Sequence, residues 1–484
     1  MSTPTSILER YPAYRVDIGI EVHVQLTTQS KIFCTCPTFK TDMPNAHICS
    51  ICAGYPGTLP VLNKKVVEYA VMAGLATNCS ISQQSTFARK HYFYPDLPKG
   101  YQITQSWPPI CTQGWVEIKT ADGSLKKIRI MRIHMEEDAG KNIHASTHES
   151  FVDLNRAGTP LLEIVTEPDI SSTHEARAYL KELHTIVRYL GICSGNMEEG
   201  AFRADTNISV RKKDAAKLGT KVELKNINSF KFIADAIEHE IERQIEMLES
   251  GERIIQQTRL WDTKHHKTVA MRSKEEAADY RYFDDPDLPI LHCNQDYIQN
   301  IKSHLPELPR ARHERLCAQG LTEYEAEILI DDPELADYYE QARSYTASRH
   351  LINWLLRDVL GYIKEAKISL HDFKIQPQQL AELVQLLDSD QINSRSAREI
   401  FEIMCIQGGS AQAIMKERGL EQVGSSEELE TMIKEIIASS PEQVADYKSG
   451  KHKLFGYFVG VAMQKSGGKG NPKIIQELLK KYLS

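Results

Sequence analysis

Four cysteines near the N-terminus are spaced to hold one metal ion: one residue separates Cys34 from Cys36, two separate Cys49 from Cys52, and Pro37 to Ile48 lie between the pairs. Paired thiolates two or three residues apart grip a tetrahedral zinc, and the segment between them folds the second pair onto the first. The turn residues Pro37, Pro44, Asn45, Gly54, Pro56 and Gly57 argue against four ordinary core cysteines. Four thiolates leave no open coordination position, so this zinc would hold a loop in place and perform no reaction. Just before the quartet, Ile20 to Leu26 alternates apolar and polar residues. In a strand, Glu21, His23 and Gln25 then share one face while Ile20, Val22, Val24 and Leu26 share the other. Alone, the pattern equally describes an amphipathic surface strand.

Carboxylates recur in further short segments: His134 to Lys141, containing Glu136, Glu137 and Asp138; Asn196 to Gly200; Arg203 to Asn207, containing Asp205; and Lys221 to Asn226, containing Glu223. Converging on the Glu21/His23 face, they would form a hard-oxygen site with one imidazole. Such a site suits magnesium, which keeps waters and takes further ligands from phosphate. Clustered carboxylates raise one another's pKa, and a divalent ion is the simplest way to stabilise them. Taken singly, each segment also reads as solvated surface. The stretch from Arg89 to Gln102 mixes cations, aromatics and prolines. It can stack a base and hold a phosphate, or be a proline-stiffened surface loop.

These residues need elements to position them. From about residue 15 to 290 the chain is mixed, with strand-like runs such as Ile128 to Ile133 and Val222 to Leu224 and a turn at Ala121-Asp122-Gly123. Helices are interspersed. Ser172 with Glu175 has capping-box spacing ahead of a stripe formed by Ala176, Tyr179, Leu180, Leu183, Val187 and Leu190. A second helix runs from about Ser229 to Glu249, with Ile237, Ile241, Ile245 and Leu248 on its core face. Prolines at 286, 289, 306 and 309 mark a boundary, beyond which Ala336 to Ala347, His350 to Ala366 and Pro377 to Leu387 have helical periodicity. Gly408-Gly409 ends that run. A small helical module follows: Ser425 with Glu428 as a capping box, a second start at Ser440-Pro441, a basic link from Ser466 to Pro472, and a last helix over Lys473 to Tyr482. Gly468-Lys469 in the link lacks the earlier glycine and the following Ser or Thr of a P-loop.

The composition, 41% hydrophobic and 25% charged, is that of a globular protein, and no apolar run reaches membrane-span length. The start Met-Ser-Thr-Pro-Thr-Ser has no signal pattern, and six scattered cysteines beside the quartet suit a reducing compartment. A cytoplasmic location is expected. The net charge of -7 argues against a generic nucleic-acid coat, yet Lys448 to Ser484 carries eight lysines and one acidic residue, Glu477. That basic tail is either a phosphate-backbone contact or a solvated face.

Several long motifs resemble one family closely: Ile18 to Leu26, the cysteine quartet running into Pro56 to Asn63, Lys90 to Gln105, Asp153 to Val165, Lys225 to Phe230, and Tyr280 to Phe283. Together with Asn471-Pro472 they are similar to the B subunit of the tRNA-dependent amidotransferases, over essentially the whole chain. The resemblance implies an α+β protein with three parts: a glutamine-synthetase-like cradle domain over residues 1–295, a helical domain over 296–408, and an all-α, YqeY-like tail over 409–484 that binds tRNA. It implies ATP- and Mg2+-dependent phosphorylation of the side-chain carboxylate of Glu on tRNA(Gln) or Asp on tRNA(Asn), then amidation by ammonia. The ammonia would come from an amidase (A) subunit within a heterotrimer that also holds a small C subunit. No nucleophilic cysteine with a partnered histidine and no Ser-Ser-Lys amidase signature occurs in motif context here, so the ammonia must be borrowed. By motif, Glu21, His23, Glu136 and Glu137 are expected as the metal core, with His23 and Glu137 as ligands and Asp205 and Glu223 as further or water-mediated ones. Cys34, Cys36, Cys49 and Cys52 match the family's zinc cysteines. A non-catalytic tRNA-binding protein is the alternative, and it gives no reason for the acidic residues to meet.

Overall fold

The computed structural model describes residues 7–144, 149–227, 229–271, 279–422, 426–467 and 470–483. Ser425 of the expected capping box, Gly468 and Lys469 of the basic link, and the first six residues lie outside these. Contacts divide the chain into two units, Met1–Glu314 and Arg315–Ser484.

The first unit is built on a nine-stranded sheet. Its spatial order is Lys267–Ala270, Thr258–Asp262, Val222–Ile227, Phe202–Lys212, Tyr14–Gln25, Pro160–Thr166, Leu125–Glu137, Cys111–Lys119 and Ser80–Ile81. Neighbours run antiparallel except Val222–Ile227 and Thr258–Asp262, which are parallel. Tyr14–Gln25 therefore lies at the centre, and the alternation of its sequence decides which side faces the core. Ile18, Ile20, Val22 and Val24 are wholly buried, whereas Glu21, His23 and Gln25 remain partly open. The expected turn at Asp122-Gly123 joins Cys111–Lys119 to Leu125–Glu137, with Gly123 at φ 84°, where a side chain would be strained.

Helices Lys64–Ala76, Thr173–Tyr189 and Phe230–Glu249 cover the apolar face. Ser229 caps the last of these through Phe232 N at 3.1 Å. Its residues Ile233, Ile237, Ile241 and Ile245 are buried, each contributing roughly 1.5–3 kcal/mol of apolar transfer. Ser172 caps Thr173–Tyr189, but Glu175 completes only half of the box: its carboxylate accepts from Ser171 N and from Lys126 instead of the Ser172 amide.

The break between units falls after Glu314, later than the expected edge at 295. Helix Gln295–Ser303 buries Ile298 and Ile301 in the first core, and the prolines at 306 and 309 follow it. The second unit is helical and carries two apolar clusters. One runs from Leu316 to Leu420, past Gly408-Gly409, because Ala411, Ile414 and Met415 fold back onto it. The other runs from Leu429 to Leu483. The expected helix over His350 to Ala366 contains a π-helical segment at Trp354–Val359. Ser440 precedes the helix Pro441–Lys448 but forms no side-chain cap. A mixed α/β unit on a large sheet followed by helices is the α+β class expected.

Candidate active site

Register brings the scattered acids together. His23 stands opposite Glu163, and Glu163 opposite His134 on the next strand; on the other side Glu21 stands opposite Asp205, and one strand further Asn207 stands opposite Glu223. Residues opposite one another share a face, as do residues two apart along a strand. Five strands thus contribute Glu223, Asp205, Glu21, His23, Glu163, His134 and Glu136 to one row on the face away from the helices. His23 Nε2 lies 3.4 Å from Glu163 and 3.6 Å from Glu136; His134 Nε2 lies 3.4 Å from Glu163 and 3.8 Å from Glu136. Lys225 joins Glu223 at 3.0 Å and Asp205 at 3.5 Å, and Asn207 donates to Glu21 at 2.9 Å. A cavity of about 370 Å³ opens here, lined among others by His23, Lys90, Tyr92, Glu136, Arg203 and Lys225.

The charges are strongly coupled. Burial pushes the Glu21 carboxyl up, and the neighbouring Glu163, Glu223 and Asp205 push it further. Burial opposes ionisation of Glu163 as well, but the His134 and His23 imidazoles outweigh it and hold this carboxyl well below the ordinary range. Burial likewise disfavours a charged His134, yet Glu163 and Glu136 push it up to about 9. Burial also disfavours a charged His23, but its hydrogen bond to Glu163 and the nearby Glu136 push its imidazole up, so imidazoles and carboxylates stabilise one another.

A divalent ion could take over that role. His23, Glu136 and Glu163 each present a ligand atom, all within 4.8 Å of one another. Two ligands about 2.1 Å from one ion are at most about 4.2 Å apart, so the His23 distances to both carboxylates fall within reach. Glu21, Asp205 and Glu223 extend the oxygen-rich row beside this trio.

Glu137 is not brought to this face. Alternation turns it to the opposite side of its strand from Glu136, where its carboxylate accepts from Ile103 N at 2.9 Å and pairs with Lys99. Glu199 is also apart, on an exposed loop where it pairs with Lys40. Within the Arg89 to Gln102 stretch, Arg89 is engaged by Asp285 and Asp287 and Lys99 by Glu137, leaving Lys90 facing the cavity.

The cysteine quartet gathers as its spacing requires. All four Sγ atoms lie within 4.8 Å of one another, with Cys52 3.9 Å from Cys49 and 4.0 Å from Cys36. A zinc tetrahedron with bonds of about 2.3 Å has edges of about 3.8 Å, so these residues fit the ion. The hydrogen bond from Cys34 is the main cause that brings the Cys52 thiol down to about 4, while burial pushes Cys36 up to about 11.

Residues 16–299 match the GatB/GatE catalytic domain, and residues 337–483 match the GatB domain. The chain belongs to the GatB/GatE family. It is 52% identical over 476 residues to the B subunit of the aspartyl/glutamyl-tRNA(Asn/Gln) amidotransferase of Geotalea daltonii, covering 97% of this chain and 99% of that protein. The protein of the same name from Thermodesulfovibrio yellowstonii is 48% identical over 472 residues, and that from Persephonella marina 48% over 469. These alignments cover 97% and 96% of this chain, and 99% and 98% of the relatives. No helix among the described residues is long and apolar enough to cross a membrane.

Three residues of the site were not singled out by sequence patterns. Glu163 is hidden in the apolar run Leu161 to Val165, and only its register opposite His23 reveals it. His134 precedes Glu136 by two, so the alternation that paired Glu21 with His23 could have found it. Lys90 gave no signal beyond its place in a cation-rich stretch.

Proposed function

We propose that this chain is the component of a tRNA-dependent amidotransferase that activates the side-chain carboxylate of a misacylated aminoacyl-tRNA with ATP and then forms the amide. A carboxylate is inert to ammonia until one oxygen becomes a leaving group. In the first step a carboxylate oxygen attacks the γ-phosphorus of ATP and ADP departs. In the second, ammonia attacks the carbonyl carbon, the C–O bond to phosphate breaks, and nitrogen loses a proton. Ammonia comes from the amidase (A) subunit of the complex, which also holds the small C subunit.

The observation that supports this reading is the row of acids meeting at His23. A non-catalytic tRNA binder has no use for Glu21, Glu136, Glu163, Asp205 and Glu223 on one face, where they repel one another. His23, Glu136 and Glu163 would hold magnesium, with Glu21, Asp205 and Glu223 as further or water-mediated ligands. Magnesium bound there would supply neutralisation of the charge that two anionic reactants bring together. Lys90 and Arg203 line the same cavity as cations and favour an entering anion. The zinc cysteines hold a loop, and the basic stretch from Lys448 onward, within the tail domain over 409–484, contacts tRNA phosphates. The substrates are Glu-tRNA(Gln), Asp-tRNA(Asn) or both.

The test follows radiolabel from the γ-phosphate of ATP to Glu-tRNA(Gln) with the amidase partner present. Wild type is compared with Glu136→Gln and Glu137→Gln. With glutamine and ammonia withheld so that the acyl phosphate is not discharged, label reaches Glu-tRNA(Gln) with the wild type, and Glu136→Gln transfers it slower by roughly two orders of magnitude with tRNA binding retained. Undiminished transfer by Glu136→Gln would remove this site from the chemistry. Binding of tRNA without any use of ATP in all three proteins would leave a protein that only binds.

A further inference from the structure

Lys31 is wholly buried, with no measurable exposure of its side chain. Its Nζ donates to two main-chain carbonyls, His47 O at 2.8 Å and Leu154 O at 3.3 Å. Both acceptors are neutral, and no carboxylate pairs with it among the described residues. A buried ammonium without a counter-charge costs several kcal/mol, so a lysine here needs a negative neighbour. The quartet provides one. A Cβ built on Gly158 would stand 3.5 Å from Lys31 Cδ, 3.6 Å from Cys52 Cβ and 3.9 Å from Glu137 Oε2, so the lysine stem and the cysteine flank the same glycine, and the carboxylate beside them is already paired with Lys99. Zinc with four thiolates carries a net charge of -2, which one adjacent ammonium halves.

The two carbonyls matter as well. His47 belongs to the loop that joins the cysteine pairs, whereas Leu154 opens the turn leading to the strand that carries Glu163. That turn is tied on both sides: Ile32 N donates to Gly158 O at 3.0 Å, and Gly158 N to Asp138 O at 2.9 Å. Lys31 therefore sits where the zinc loop meets the backbone framing the acidic row.

We infer that Lys31 is the counter-cation of a zinc tetrathiolate and that ion and ammonium retain each other, clamping the zinc loop to the Leu154–Gly158 turn. The inference rests on zinc at the quartet and is independent of the amidation chemistry. Removing the charge leaves the thiolates uncompensated, and a partner outside the coordination sphere is typically worth ten- to a hundredfold in metal affinity.

The full-length chain is purified as wild type, Lys31→Met and Lys31→Gln. Zinc content is measured by mass spectrometry, zinc release with a chromophoric chelator, and the thiolate-to-metal charge-transfer band after cobalt substitution. Both variants release zinc about ten- to a hundredfold faster than wild type. Their cobalt bands move to lower energy, because thiolates without a neighbouring cation give up electron density more readily. Lys31→Gln removes the charge and keeps an N–H donor, one bond short of the ammonium, so its cobalt band separates charge from a simple hydrogen-bond clip, and it decides alone where Lys31→Met does not fold. Wild-type release and an unmoved band in Lys31→Gln overturn the inference. Absence of zinc from the wild-type chain overturns it together with the zinc assignment.

Discussion

Replacing Glu163 by Gln tests whether the central imidazoles and carboxylates stabilise one another through charge. Glu163 lies 3.4 Å from both His23 and His134. His134 is pushed from an ordinary 6.5 up to about 9. At about 1.36 kcal/mol per pH unit this is on the order of 3 kcal/mol of folded-state preference for the imidazolium. A raised histidine pKa gives stability that is fully present below about pH 6.5 and lost as pH rises through about 9. Among the groups that raise it Glu163 acts most strongly, and Glu136 supplies the remainder. Glu163→Gln therefore loses roughly 2 kcal/mol at pH 6 when a chelator removes divalent ions. Near pH 10 the penalty vanishes, or the variant becomes the more stable, because the wild type then holds Glu21, Glu136 and Glu163 together without an imidazolium. Urea unfolding at a series of pH values, followed by tryptophan fluorescence, measures the difference. A constant penalty from pH 6 to pH 10 would refute the electrostatic reasoning and reduce Glu163 to a packing and hydrogen-bonding role.

Divalent binding through His23 requires its neutral imidazole; against burial, Glu163 and Glu136 push its pKa above the ordinary range, so Mn2+ affinity of the wild type rises as pH increases beyond about 6.5, and a calorimetric titration that is flat with pH would remove His23 from the ligand set. Gly114→Ala lowers stability by about 1–3 kcal/mol, because its Cβ would lie 2.2 Å from Cys79 Sγ and 2.7 Å from Thr77 O inside a packed sheet. Gly361→Ala, in the helix Leu360–Ala366 with nothing within 4 Å of the new atom, raises it by about 0.5–1 kcal/mol; thermal unfolding of the pair checks both signs. Stopping the chain after Gln422 leaves the Leu316–Leu420 core whole, whereas stopping after Gly409 deletes Ile414, Met415 and Leu420 from it. At about 2–5 kcal/mol for each large side chain lost, only the longer truncation product unfolds cooperatively by calorimetry.

Chain-local signals were legible where the relevant physics is local. The alternation of Ile20 to Leu26 set the buried and open faces of the central strand, because side chains of a strand alternate whatever it pairs with. The start of a helix near Ser229, the isoleucine stripe of Phe230–Glu249 and the turn at Gly123 depend on backbone geometry within a few residues. The cysteine spacing likewise carries its own geometry, since two close pairs and one connecting loop suffice to build a tetrahedron.

Register, by contrast, was decided only in three dimensions. That Glu163 faces His23, and that Glu136 but not Glu137 joins them, follows from how Tyr14–Gln25, Pro160–Thr166 and Leu125–Glu137 slide against one another, and a slip of one residue would reverse every face. The end of the first unit was hidden for the same reason. Prolines mark where a helix is interrupted, but only packing shows that Ile298 and Ile301 belong to the core before them. Sequence alone determined the strand face and most of the acids that could do the chemistry; tertiary structure added Glu163, His134 and Lys90 and decided which residues meet, because charge coupling needs separations of a few ångströms between strands far apart in the chain.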